Sequence, residues 1–113
     1  MAFSTKITAT DSDGSSALDI EVPWWDDHEL RRDPRFDESE ENRGYLDYRA
    51  SLSAQEVQEL SDRYRTGLSD RIDLETGKLS YEGWHRAQRQ LEAALKQPGL
   101  SYSVWVFEWE SGM

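Results

Sequence analysis

The sequence predicts an α+β domain: an antiparallel sheet of about four strands with two helices packed on one face. Two observations predict it. Apolar and polar residues alternate in four separate stretches, as they do in half-buried strands. Two further segments repeat their apolar residues at the spacing of a helical face. We expect one domain spanning residues 1–113, because this length is near the commonest domain size.

The chain begins with a predicted β-hairpin. Alternation runs from Phe3 to Ala9 and again from Leu18 to Trp24. The intervening segment 11–16 is rich in Asp, Ser and Gly, and Gly14 is the expected position with positive φ.

A long acidic loop is expected at about 24–44, because no periodicity is visible there. Loops of that length are uncommon in compact domains and are usually functional or disordered. A short helical turn is expected at 26–30.

The third strand is predicted from Tyr45 to Leu52, and a helix follows it directly. Ser53 and Glu56 have the spacing of a capping box, in which each side chain bonds the other residue's backbone amide. Val57, Leu60 and Tyr64 share one face, and the helix is expected to end near residues 66–67. Ile72 and Leu74 suggest a short hairpin or an irregular linker before the next helix.

The second helix is predicted to begin at Ser80 and to end at Pro98–Gly99. Its apolar stripe consists of Trp84, Ala87, Leu91, Ala94 and Leu95.

The last predicted strand, Ser101–Trp109, is apolar on both of its faces. Such a strand is normally covered on both sides, whereas two helices cover only one. The second face therefore needs a cover: the loop carrying Trp24, Trp25 and Phe36, a second copy of the chain, or another partner.

Acidic residues exceed basic ones by 23 to 13, and the net charge is −10. The whole excess lies in residues 1–62, which hold 16 acidic and 6 basic side chains. This balance disfavours binding to nucleic acid or to an anionic membrane. There is no cysteine, which excludes disulfides and thiolate metal sites. No apolar run is long enough to span a membrane and no signal-peptide pattern is visible, so we expect a cytoplasmic protein.

No motif indicates catalysis, a cofactor or a metal. Asp26, Asp27, His28 and Glu29 carry suitable ligand atoms, but adjacent side chains usually point apart. Segment 77–82 resembles the back half of an EF-hand calcium loop. With Gly77 at the loop's glycine, Ile72, Leu74 and Gly83 stand where oxygen ligands belong, so the sequence does not predict calcium binding.

We therefore expect a noncatalytic binding protein whose acidic first half engages a basic protein, in one version as an inhibitor or immunity-type protein that blocks a nuclease toxin. The alternatives are an assembly subunit that forms a homo-oligomer through its sheet and a small enzyme with an unrecognised site, for which a deep pocket converging on His28 would be the sign. The expected partner-binding residues are charged ones with aromatic anchors: Trp25, Asp26, Asp27, Glu29, Phe36, Asp37, Glu38, Glu40, Glu41 and Trp109.

Overall fold

A computed structural model describes residues 2–42, 45–65 and 77–109. Side chains are described within these ranges except at residues 2, 40–42, 77–84 and 109. The elements in chain order are β1 (Ala2–Thr10), β2 (Ser16–Glu21), α1 (Asp27–Leu30), β3 (Asp37–Asn42), β4 (Tyr45–Leu52), α2 (Ala54–Tyr64), α3 (Gly77–Leu95) and β5 (Ser101–Trp109).

The strands form one antiparallel sheet in the order β2-β1-β5-β4-β3. The predicted α+β class is confirmed, with five strands instead of about four. The additional strand is β3, which pairs Asp37 with Arg49 and Glu38 with Tyr48. The prediction of a continuous loop at 24–44 is therefore wrong, because residues 37–42 gain a partner in β4 that outweighs their low intrinsic strand preference.

The predicted β1–β2 hairpin is present. The Asp11 carboxylate accepts hydrogen bonds from the backbone amides of Asp13 and Ser15 at 2.9 and 3.0 Å. Gly14 has φ +82°, the left-handed conformation that glycine adopts without a steric penalty.

One face of the sheet carries the core. Ile7 of β1, Val104 of β5 and Ala50 of β4 lie side by side in one row across the sheet, and all three are buried. The helices contribute to the same cluster with Leu30, Val57, Leu60, Leu91 and Ala94. The helices therefore pack on one face of the sheet, as predicted.

Both indoles of the Trp24–Trp25 pair are buried, with exposures of 1% and 0%. An extended backbone would send them to opposite sides, but here the Trp25 amide bonds the Val22 carbonyl at 3.2 Å in a turn. The next amide, that of Asp26, bonds the Tyr64 carbonyl at 2.7 Å and fixes the turn against α2. The predicted exposure of Trp25 is therefore wrong.

The capping box of α2 is present: Glu56 N–H donates to Ser53 Oγ at 3.2 Å, and Ser53 N–H donates to Glu56 Oε1 at 3.1 Å. The second long helix, α3, begins at Gly77, three residues before the predicted start at Ser80. The segment around Ile72 and Leu74 lies outside the described residues.

Candidate binding surface on the open face of the sheet

The face of the sheet opposite the helices is called the open face here. Strand alternation gives it every second residue of each strand, including Lys6, Asp47, Arg49, Trp105 and Phe107. None of these residues belongs to the core cluster. Within the described part of the chain, the helices pack on the other face.

Trp105 is the centre of a compact side-chain cluster on the open face. Its Nε1–H donates to Asp47 Oδ1 at 3.0 Å. The Arg49 guanidinium carbon lies 4.6 Å from the centroid of the Trp105 ring. The Phe107 ring centroid is 4.3 Å away, with 34° between the ring planes. Three neighbours on two strands thus fix the orientation of one half-buried indole.

In the row of residues that contains Trp105, basic residues flank the tryptophan and acidic residues stand at the two ends. Register places Glu21, Lys6, Trp105, Arg49 and Asp37 side by side on successive strands from one edge of the sheet to the other. The row therefore reads acid, base, tryptophan, base, acid. At about 4.8 Å between strands, its two terminal carboxylates stand roughly 19 Å apart.

The next row toward the hairpin turn is lined by hydroxyl groups. Thr8, Ser103 and Ser51 lie side by side on β1, β5 and β4. With Thr10 and Ser101 they line a shallow depression of about 400 Å³. Polar groups therefore occupy the part of the open face between Trp105 and the hairpin turn.

The expected loop cover of this face is wrong. Trp24 and Trp25 belong to the core cluster on the helix side, and Phe36 packs half-buried against that same cluster. Arg49 instead shields one side of Trp105, while hydroxyl and charged groups occupy much of the remaining surface.

The acidic residues of α1 and its flanks do not form one exposed platform. Asp26 caps α1 by accepting the Glu29 amide at 3.3 Å. Asp27 is 5% exposed and accepts a hydrogen bond from the Thr5 hydroxyl. Glu29 is exposed and lies 3.8 Å from Arg32. Asp27, one of the predicted partner-binding residues, is thus buried, and its carboxylate accepts a hydrogen bond inside the protein.

Asp33 is a second buried carboxylate in this segment. It accepts the Tyr64 hydroxyl at 2.8 Å and the Arg35 amide at 3.0 Å. Arg35 continues the network to Glu59 of α2 at 2.9 Å. This network ties the segment after α1 to α2, and its two acidic members, Asp33 and Glu59, are not among the predicted partner-binding residues.

The acidic residues after Phe36 occupy an edge of the sheet. Asp37 and Glu38 are exposed on β3, and strand alternation points them to opposite faces, with Asp37 on the open face. The structure does not describe the side chains of Glu40, Glu41 and Trp109. Four of the six residues of β3 are acidic, and its pairing is interrupted between Ser39 and Asn42.

His28 packs against aromatic residues beside α1. Its ring meets the Phe3 ring edge to face, with 5.1 Å between centroids. The Arg31 guanidinium carbon lies 4.8 Å from the Phe3 centroid, and its Nη1 donates to the Tyr48 hydroxyl at 3.3 Å. Among the described residues, no three His, Asp or Glu side chains are placed to hold a metal ion.

Two tyrosines have perturbed acidity. Burial raises the pKa of Tyr64, and the hydrogen bond to the Asp33 carboxylate raises it further. Burial alone raises the pKa of Tyr102. Both phenols therefore stay protonated at higher pH than exposed tyrosines.

Comparison with protein-family models, curated proteins and solved structures finds no match to this chain. Within the described ranges, no helix is long and apolar enough to cross a membrane. The surface must therefore be interpreted from its own geometry. Trp105, Asp47 and Arg49 are not among the residues predicted to bind a basic partner. The signal for Trp105 was the second apolar side of the last predicted strand, which a second copy of the chain could cover; no sequence pattern pointed to Asp47 or Arg49.

Proposed function

We propose that this protein is a noncatalytic binding domain that engages a basic protein through the open face of its sheet. One observation carries the proposal: Trp105 and Phe107 lie together on a face that no described element covers, between two edges that carry Glu21 and Asp37.

The aromatic pair has the properties of an interface anchor. Interface energy concentrates in a few large side chains, and tryptophan is prominent among them. The Trp105 ring is held by Asp47, Arg49 and Phe107 before any partner arrives. Binding therefore immobilises little additional side-chain freedom, which favours affinity.

The charge distribution favours a basic partner. The chain carries a net charge of −10, which attracts a cationic protein and accelerates encounter at low ionic strength. Glu21 and the exposed Asp37 place carboxylates on both sides of the aromatic centre. Lys6 and Arg49 lie nearer to Trp105 than these carboxylates do, but Lys6 pairs with Asp19 and Arg49 stacks on the indole ring. The complementary surface therefore has an apolar centre and Lys or Arg opposite Glu21 and Asp37.

An inhibitor of a cationic enzyme is the specific version of this proposal. An enzyme that binds polyanionic substrates, such as a nuclease toxin, presents a groove lined by basic residues. A compact acidic domain can occupy that groove and exclude the substrate. This version rests on charge and size.

The test is capture of partners from the lysate of the source cell at low and high salt, followed by identification of the captured proteins. We expect the wild type to retain a cationic protein at low salt. The Trp105→Ala and Glu21→Gln/Asp37→Asn variants should lose it. The matched control is Asp62→Asn/Glu92→Gln, which removes two exposed carboxylates from the helices. Equal capture by all variants, or no cationic protein at low salt, contradicts the proposal.

Homo-oligomer formation through the sheet is the second candidate, favoured by the half-buried Trp105 on an uncovered face. The charged row opposes it, because stacking two copies with these rows in register brings base against base and acid against acid in either orientation. Light scattering separates the two: a monomer supports the binding domain, and a tight dimer that Trp105→Ala dissociates supports assembly.

A further inference from the structure

We infer that the groove between β2 and α3 binds an extended peptide segment as an added strand, with basic residues on its open-face side and small apolar residues beneath α3. The groove adjoins the open face and shares Glu21 with it, but this inference does not rest on the proposed function.

The shape of the groove follows from its lining. Four consecutive residues of β2, Ser16 to Asp19, border a cavity of about 410 Å³. Alternate side chains of a strand point to opposite faces, so a cavity on one face would border only every second residue. A cavity that borders four consecutive residues therefore runs along the edge of the strand. The opposite wall is a single helical stripe of α3: Gln90, Ala93, Ala94 and Gln97.

The edge of β2 is available for strand pairing. β2 is terminal in the sheet order, and its described partner, β1, lies on the other side. No hydrogen bond from another described residue reaches the backbone of Ser16–Asp19 from outside the sheet. Outward N–H and C=O groups of such a strand are a template for an added strand.

The two edges of the sheet differ in their protection. The β3 edge has four acidic residues in six and interrupted pairing, and both features discourage the addition of a strand. The first half of β2, Ser16–Leu18, carries no charge, and Leu18 points into the core. Its pairing with β1 also shifts register here, between Ala9 and Thr10, so the two edges differ in charge and not in regularity. A peptide is therefore better accommodated beside β2.

The dimensions match a short extended segment. The β2 wall spans about 10 Å over Ser16–Asp19, and the α3 wall from Gln90 to Gln97 spans about the same length. About three extended residues fit that length. Ala93 and Ala94 leave room for small side chains, and the exposed Gln90 and Gln97 amides can bond the peptide backbone.

Charge complementarity determines which residues the peptide carries on the side that lies on the open face. On β2, Asp19 and Glu21 point to the open face, and both are exposed. Lys6 pairs with Asp19 at 3.0 Å, which leaves acidic charge in excess at this edge. Side chains of an added strand that face the same way meet these carboxylates, which favours Lys or Arg.

The experiment uses the full chain labelled with ¹⁵N and the peptide acetyl-Lys-Val-Lys-Val-Lys-amide as probe. We expect the peptide to shift the amide resonances of Ser16–Asp19 and of the α3 stripe. Ala93→Trp fills the groove at an exposed position and should weaken binding at least tenfold. Glu92→Trp, exposed on the side of the same helix away from this stripe, is the matched control and should bind as the wild type does.

A second probe separates strand addition from general attraction to an acidic protein. The same peptide N-methylated at residues 2, 3 and 4 keeps its charges but cannot donate backbone hydrogen bonds from those residues. It should bind at least tenfold more weakly. Equal binding of the two peptides, shifts outside the groove, or unchanged binding by folded Ala93→Trp overturns the inference. Trp105→Ala should leave peptide binding intact, so failure here and failure of the proposed function are distinguishable.

Discussion

Trp105 and Asp47, 58 positions apart in sequence, are joined by a 3.0 Å hydrogen bond from the indole Nε1 to the carboxylate. Asp47 is 6% exposed although it lies on the open face. The bond links β4 to β5 on the side of the sheet away from the core.

Removing this acceptor should destabilise the protein. Asp47→Leu leaves the indole N–H without its partner, and we expect a loss of about 1–3 kcal/mol in the free energy of unfolding. Asp47→Asn retains an oxygen acceptor and should lose less. Urea denaturation followed by circular dichroism measures both, and equal stability of Asp47→Leu and the wild type would contradict the assignment.

Trp25→Ala should be far more destabilising than Trp105→Ala. Trp25 is fully buried in the core, and truncation of a buried tryptophan costs about 3–5 kcal/mol. Trp105 is half-buried on the open face, so its truncation should cost less and should act mainly on partner binding. Denaturant midpoints of the two variants provide the comparison, and a reversed order would show that Trp25 is not the core residue.

Ser53→Ala should destabilise the start of α2. The substitution removes the acceptor of the Glu56 amide and breaks the capping box. The expected loss is about 1 kcal/mol in the free energy of unfolding. Ser53→Asp restores an acceptor at the same position and serves as the control. If Ser53→Asp lost as much stability as Ser53→Ala, the cap would contribute little to the free energy of unfolding.

Stability should fall at alkaline pH. The raised pKa values of Tyr64 and Tyr102 mean that the folded protein holds these phenolic protons more tightly than the unfolded chain. Their contribution is therefore full below the unfolded tyrosine pKa of about 10 and is lost as pH rises through the folded values. Ultraviolet titration of phenolate formation should show one late-titrating group fewer in Tyr64→Phe. An unchanged titration curve would contradict the Asp33 contact.

The sequence predicts much of the fold because the decisive signals are local. Alternation around Ile7 and Ile20 and the capping box at Ser53 each depend on neighbours a few residues away. β3 could not be predicted this way. Its residues are mostly acidic, and they form a strand because β4 supplies backbone partners that are visible only in three dimensions.

The candidate site was less predictable for the same reason. The composition around Trp25 suggested an exposed anchor, but a turn at Val22–Trp25 and the contact to Tyr64 decide its burial. Trp105, in contrast, was recognised as having an uncovered side without being assigned to binding. The exposure of a side chain depends on which elements pack against its strand or helix. Periodicity in the sequence indicates only which residues lie on the same face of that element.

The sheet order has a consequence for synthesis of the chain on the ribosome. The strand nearest the C-terminus, β5, is the middle one, between β1 and β4. Until Ser101–Trp109 has left the exit tunnel, the two hairpins on either side have no shared partner, and each exposes an edge. The nascent protein must therefore wait for its final strand before it can close its core, and ribosomes stalled before that point hold chains prone to aggregation.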